Sequence, residues 1–137
     1  MGSTGIDAQT FYKLTLMLNP DDLKLLAKAK TPCACSCPLR PCAGWESFTE
    51  DRWPKALMQN VGTLRDPDIY QPSSDEHHPD GTRYSSPNAP IAVKFFPYNI
   101  SDVFACTKCD KLVLRYTEFG GYYVDHRVRE LDARLVV

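Results

Sequence analysis

Between Arg65 and Pro90 the chain carries five prolines, Pro67, Pro72, Pro79, Pro87 and Pro90, and almost no large aliphatic residue besides Ile69. Proline fixes φ, removes a backbone donor and interrupts both helices and central strands. The stretch therefore reads as one long loop, and any core must come from the segments on either side of it. The loop is acidic: Asp66, Asp68, Asp75, Glu76 and Asp80 face only Arg65 and Arg83. A loop of this length inside a compact domain is commonly functional or disordered, so those carboxylates are the first candidates for contact with a partner.

Ahead of the loop, residues 1–62 read as helical. Asp7 to Leu18 carries Phe11, Leu14 and Leu18 at helical spacing. Asn19 then caps a second helix opened by Pro20, Asp21 and Asp22, with Leu23, Leu26 and Ala27 on its apolar stripe and lysines near its end, before Thr31-Pro32 stops it. A third helix is expected from Thr49-Glu50-Asp51 through Trp53, Ala56 and Leu57, ending before Gly62.

After the loop, residues 91–137 read as strands: 91–96, 103–105, 111–117 and 122–128. Glu118-Phe119-Gly120-Gly121 forms the turn of a hairpin, where glycine accepts positive φ without steric cost. Alternation places Leu112, Leu114 and Tyr116 on one face and Val113, Arg115 and Thr117 on the other. With 137 residues the chain has room for about one domain, 1–137. The expected fold is α+β, with N-terminal helices packed on a small antiparallel sheet.

Six cysteines need an explanation of their own, because a chain of this length can bury a core without staples. Cys106-Thr-Lys-Cys109 has the spacing of a zinc knuckle, in which two thiolates three residues apart supply half of a tetrahedral site. The other half would come from the segment 32–43, ranked Cys37 and Cys42, then Cys35, then Cys33, since a one-residue gap leaves little slack for two sulfurs to converge. One structural zinc on four thiolates is expected, tying the helical part to the sheet in a zinc-ribbon-like arrangement. A two-zinc cluster on all six thiolates and metal-free buried cysteines remain as alternatives.

Catalytic patterns are missing from the sequence. No Cys-x-Glu or His-x-Glu exists for a zinc deaminase, and the residues after Cys109 favour a strand rather than the helix a thioredoxin-like motif would open. His77, His78 and His126 fit solvated or hydrogen-bonded roles, and no HExxH motif, glycine-rich phosphate loop or Ser-His-Asp spacing occurs. The expectation is a protein without enzymatic activity. A formal net charge of −1 argues against a protein that works by neutralising phosphates, so nucleic acid is disfavoured. No apolar run approaches the roughly 20 residues of a membrane span and no signal sequence opens the chain, which reads as cytoplasmic. Tyr122, Tyr123 and Arg127, with Tyr116 and Phe119, have the composition of a protein-interface hot spot.

The block Cys106-Thr-Lys-Cys109, followed by Leu114-Arg-Tyr-Thr-Glu-Phe-Gly-Gly-Tyr-Tyr-Val-Asp-His-Arg-Val-Arg-Glu-Leu131, resembles the tail of immunity proteins of bacterial polymorphic or contact-dependent toxin pairs. That resemblance implies a small protein that neutralises a cognate toxin domain. The expected contacts are Asp66, Asp68, Asp75, Glu76 and Asp80 on the loop, and Tyr122, Tyr123 and Arg127 on the hairpin. The alternative is a zinc-ribbon module associated with nucleic acid or transcription.

Overall fold

The computed structural model describes residues 16–29, 44–108, 111–119, 122 and 124–137. Among them lie one α-helix and five strands: α1 (Pro20–Ala29), β1 (Glu46–Phe48), β2 (Met58–Thr63), β3 (Asp102–Cys106), β4 (Leu112–Phe119) and β5 (Val124–Glu130). The strands form one antiparallel sheet in the order β1-β5-β4-β3-β2. The protein is thus mostly β. This corrects the expected N-terminal helices on a small sheet.

Three differences account for the correction. The expected first helix lies outside the described residues up to position 15, and its last residues are extended instead. Leu18 N–H donates to the Thr63 carbonyl (2.8 Å) and Thr63 N–H to that of Leu16 (2.9 Å), adding a parallel bridge to the edge of β2. The expected third helix is replaced by turns over residues 49–57, with β2 following. Pro54, which lacks an N–H, sits where the helix would have to elongate. Finally, among the described residues no group of three or more His, Cys, Asp or Glu side chains could hold a metal, so what joins helix to sheet there is packing.

The one expected helix that forms has its predicted cap. Asn19 Oδ1 accepts from Asp22 N–H (2.8 Å) and Asp22 Oδ2 accepts from Asn19 N–H (3.0 Å), a reciprocal arrangement that satisfies two orphan donors. Leu23 is fully buried, with Leu26 and Ala27 against the same core. The expected antiparallel pairing of the last two strands also forms, β4 with β5 from Phe119↔Val124 to Val113↔Glu130, while the turn residues 120 and 121 lie outside the described residues. The expected strand 91–96 reduces to one parallel bridge, Ile91↔Val136, before the chain turns.

Alternation along β4 divides the interior in two. Leu112, Leu114 and Tyr116 face a large core with Leu18, Leu23, Trp45, Ile91 and Val103. Val113 faces a smaller cluster with Phe48, Trp53, Cys106 and Val128. Helix and proline-rich loop cover the first face, and residues 49–57 cover the second.

Arg129 holds the loop on the large core. Its side chain is fully buried, pointing from β5 to donate to the Ala89 carbonyl (2.7 Å), the Pro87 carbonyl (3.2 Å) and the Tyr98 hydroxyl. The loop that proline keeps from pairing with itself finds a donor in this guanidinium. At the opposite edge, Gly62 allows a close approach: a Cβ there would lie 2.6 Å from Leu18 Cδ1 and 2.9 Å from the Leu16 carbonyl oxygen.

Two stability predictions follow from these contacts. Arg129→Leu strands the buried Ala89 carbonyl and the Tyr98 phenol, besides the half-buried Pro87 carbonyl, and is expected to lower unfolding free energy by about 3 kcal/mol in urea titration, since each buried polar group left unpaired costs roughly 1–3 kcal/mol. Gly62→Ala is expected to cost about 1–3 kcal/mol by the same measurement, because a backbone oxygen stands in the way of the new methyl.

Candidate functional site

Of the six candidate metal ligands only Cys106 is among the described residues; Cys33, Cys35, Cys37, Cys42 and Cys109 lie outside them. Cys106 ends β3 with its side chain fully buried against Phe48, Trp53, Val113 and Val128. Its N–H donates to the Lys111 carbonyl (2.9 Å), at the end where β3 and β4 pair. The described neighbours of the thiol are therefore apolar.

The five loop carboxylates are spread along the segment rather than gathered. Asp66 accepts the N–H of Asp68 (2.9 Å), Glu76 meets His78 Nε2 (2.6 Å), and Asp68, Asp75, Glu76 and Asp80 are exposed. Between them Ile69 and Tyr70 stand in solvent, Tyr70 at 94% exposure. The loop is fastened from beneath: the Asp75 carbonyl accepts from Phe96 N–H (2.8 Å), the Ser73 carbonyl accepts from Asn99 Nδ2 (2.8 Å), and His77 stacks on Phe95.

On the hairpin, Tyr122 is fully exposed, and Phe119 and Val124, a cross-strand pair, are 77% and 59% exposed. Tyr123 lies outside the described residues. Arg127 points to the other side of the hairpin, where it pairs with Glu118 (3.0 Å) and Asp125 (3.0 Å). Beneath it the hydroxyls of Tyr84 and Tyr116 share a hydrogen bond, and Trp45 packs edge-on against the Tyr116 ring at 4.9 Å. Burial first, then the bond from Tyr84, pushes the Tyr116 phenol far above the usual tyrosine range, and burial also raises Tyr84. Tyr116 is thereby a neutral core group rather than part of an exposed hot spot.

A polar constellation not foreseen in the sequence lies on the smaller face. The Glu50 carboxylate reaches His126 Nε2 (2.7 Å) and Arg115 Nη2 (3.5 Å), while His126 Nδ1 meets Arg115 Nη2 (3.1 Å) and Thr117 Oγ1 (3.2 Å). Arginine only donates, so Nδ1 accepts and Nε2–H donates to Glu50. Both imidazole nitrogens are engaged. His126 is built as a connector, which leaves it no free nitrogen with which to act as a base. Arg115 stands over the Trp53 ring, 4.4 Å from its centroid, and burial pulls its guanidinium below the usual arginine range against the opposing pull of Glu50 and Asp102. Alternation signals Arg115 and Thr117 on one face of β4; nothing local signals that Glu50, far away in sequence, closes on them.

The chain matches no protein-family model, no curated protein and no solved structure.

Asp102, beside Arg115 and the Thr63 hydroxyl, has its carboxyl raised by burial beyond what those two partners offset. A carboxyl raised on folding binds its proton more tightly in the folded state, so its favourable contribution is present in acid and lost as pH rises through the folded value. Asp102→Asn is therefore expected to melt at or above the wild-type temperature at pH 7, with the difference shrinking or reversing below pH 4 in thermal denaturation.

Proposed function

We propose that this is a non-enzymatic protein whose role is to bind another protein, and that the partner is the cognate toxin of an immunity pair. The observation that carries the reading is the tip of the β4–β5 hairpin, where Phe119, Tyr122 and Val124 stand in solvent together. Phe119 and Val124 are a cross-strand pair on the sheet side that also bears Thr117 and His126, so the exposed apolar surface is contiguous rather than scattered. Charges around it are internally paired: Arg127 with Glu118 and Asp125, Arg115 and His126 with Glu50. Such a tip gains from meeting an apolar protein surface and little from meeting phosphate. Tyr70, set among Asp66, Asp68 and Asp75, supplies a second exposed aromatic in an acidic setting suited to a basic partner.

The cysteines fit one structural zinc held by Cys106 and Cys109 with two of Cys37, Cys42, Cys35 and Cys33. Two features support it. Cys106 and Lys111 are joined by a backbone bond, and the described residues that flank the 32–43 segment belong to the same end of the sheet as that bond. Gly44 immediately precedes Trp45 and β1, whose Glu46 stands opposite Val128, and Ala27 of α1 lies beside Leu131, whose N–H bonds to the Leu112 carbonyl.

Two experiments test the proposal. Co-expression with the product of the neighbouring gene should relieve that product's toxicity, and the triple substitution Phe119→Ser, Tyr122→Ser, Val124→Ser should abolish relief while leaving the melting temperature within about 6 °C, since exposed substitutions typically change stability by under about 0.5 kcal/mol each. Protection that survives the substitution, or no relief by the wild type, overturns the reading. Elemental analysis of protein purified without added zinc should give a ratio near one, and a ratio near zero in folded protein ends the metal claim.

A further inference from the structure

Residues 49–57 connect the two outermost strands of the sheet, β1 and β2, and so cross the whole of one face. Four strand-to-strand spacings amount to roughly 19 Å, which these residues span as a string of turns. Their backbone bonds are almost all internal: Arg52 and Trp53 N–H to the Thr49 carbonyl, Lys55 N–H to that of Trp53, Leu57 N–H to that of Pro54. At the far end the Leu57 carbonyl accepts from Thr107 N–H (2.8 Å). Asp51, Arg52, Lys55 and Ala56 face solvent.

Between the ends of this crossing, the polar and aromatic contacts to the middle of the sheet come from two side chains, with Leu57 packed on the small cluster at the β2 end. Glu50 reaches down to His126 and Arg115, and Trp53 lies between Arg115 and Phe104, its ring 5.2 Å from that of Phe104. Arg52 adds a long bond of 3.5 Å to the Ser47 carbonyl and lies 4.7 Å from the Phe48 ring centroid, both at the β1 end. Arg115 is the common anchor, pairing with the carboxylate and standing over the indole ring. Under the crossing lies the small cluster of Phe48, Val113, Val128 and Cys106, the last of them completely buried.

We propose that residues 49–57 are a strap, latched by Glu50 and Trp53 on Arg115 and His126, that opens as a unit and gates chemical access to Cys106. A segment with internal backbone bonds, exposed outer residues and few long-range ties is the kind that opens below the free energy of global unfolding. The large core does not have to loosen for it to move, because that core lies on the other side of the sheet. The gated group is the first cysteine of the Cys106-Thr-Lys-Cys109 turn, so a thiol reagent, or a metal, reaches it only when the strap lifts. The inference does not depend on a metal being bound.

Peptide-resolved alkylation tests it on the native chain. Trypsin cuts after Lys94 and Lys108 and releases Cys106 on a peptide that holds no other cysteine. With iodoacetamide at fixed pH, with and without chelator, Cys106 should react slowly in the wild type and at least tenfold faster in Glu50→Gln under both conditions. Trp53→Leu should act in the same direction. Leu23→Ala, which weakens the large core without touching the strap, should leave the rate within about twofold of wild type under native conditions. A Cys106 rate unchanged in Glu50→Gln, or one that rises equally in Leu23→Ala, overturns the strap. So does a wild-type thiol that chelator alone makes as reactive as that of Glu50→Gln, a result that would leave the metal reading standing.

Discussion

A guanidinium with no water around it holds the proline-rich half of this protein to the sheet. Arg129 projects from β5 into the large core and donates through its two terminal nitrogens to two loop carbonyls and a tyrosine hydroxyl, while its Nε has no partner among the described residues. A buried charge is costly unless it is hydrogen-bonded, and a proline-rich loop has the opposite difficulty, carbonyls without partners. The terminal nitrogens of the one meet the carbonyls of the other. Tyr98, which receives one of the bonds, also packs its ring against Trp45, so the same contact fixes the aromatic floor on which Tyr84 and Tyr116 rest.

The sheet that carries Arg129 is covered unequally. On one face α1 and the long loop contribute several independent hydrogen bonds and a continuous apolar core. On the other a single short crossing between edge strands covers four buried side chains with its own Trp53, with polar and cation–π contacts at its middle. Covering both faces is what lets β4 carry buried residues on successive positions, from Leu112 through Leu114, instead of a simple alternation of apolar and polar.

What the sequence shows of this and what it hides divide by range. The cap Asn19-Pro20-Asp21-Asp22 and the alternation in β4 are local signals, and both correspond to what forms. β1 and β2 are hidden because Glu46-Ser47-Phe48 and Met58-Gln-Asn-Val-Gly-Thr63 are short, largely polar edge strands whose order comes from their partners β5 and β3. Thr49 to Leu57 has good helix formers at its start, yet its ends must reach opposite edges of the sheet, and a helix rising 1.5 Å per residue would cover only about 14 Å of the roughly 19 Å required. Topology overrides propensity there. The spacing of Cys106 and Cys109 is plain in the sequence, whereas the apolar setting of the Cys106 side chain depends on Trp53 arriving from that crossing. In the same way, Arg115 and His126 are visible as strand residues, but their shared carboxylate, Glu50, is reached only through the fold.

The hairpin formed by β4 and β5 reverses the usual distribution of polarity at its two ends. Near the base a charged side chain, Arg129, is wholly inside; at the tip Phe119, Tyr122 and Val124 are outside. The inner exception is explained by the chain itself, since removing the guanidinium would leave loop carbonyls unpaired. The outer one is not, because folding gains nothing from apolar side chains left in water. Scattered exposed apolar residues are ordinary on protein surfaces, but a contiguous group at the end of a hairpin, beside charges already paired within the chain, is the composition that protein contacts favour. The base of the hairpin thus serves the fold, and the tip is the part of it that folding does not require.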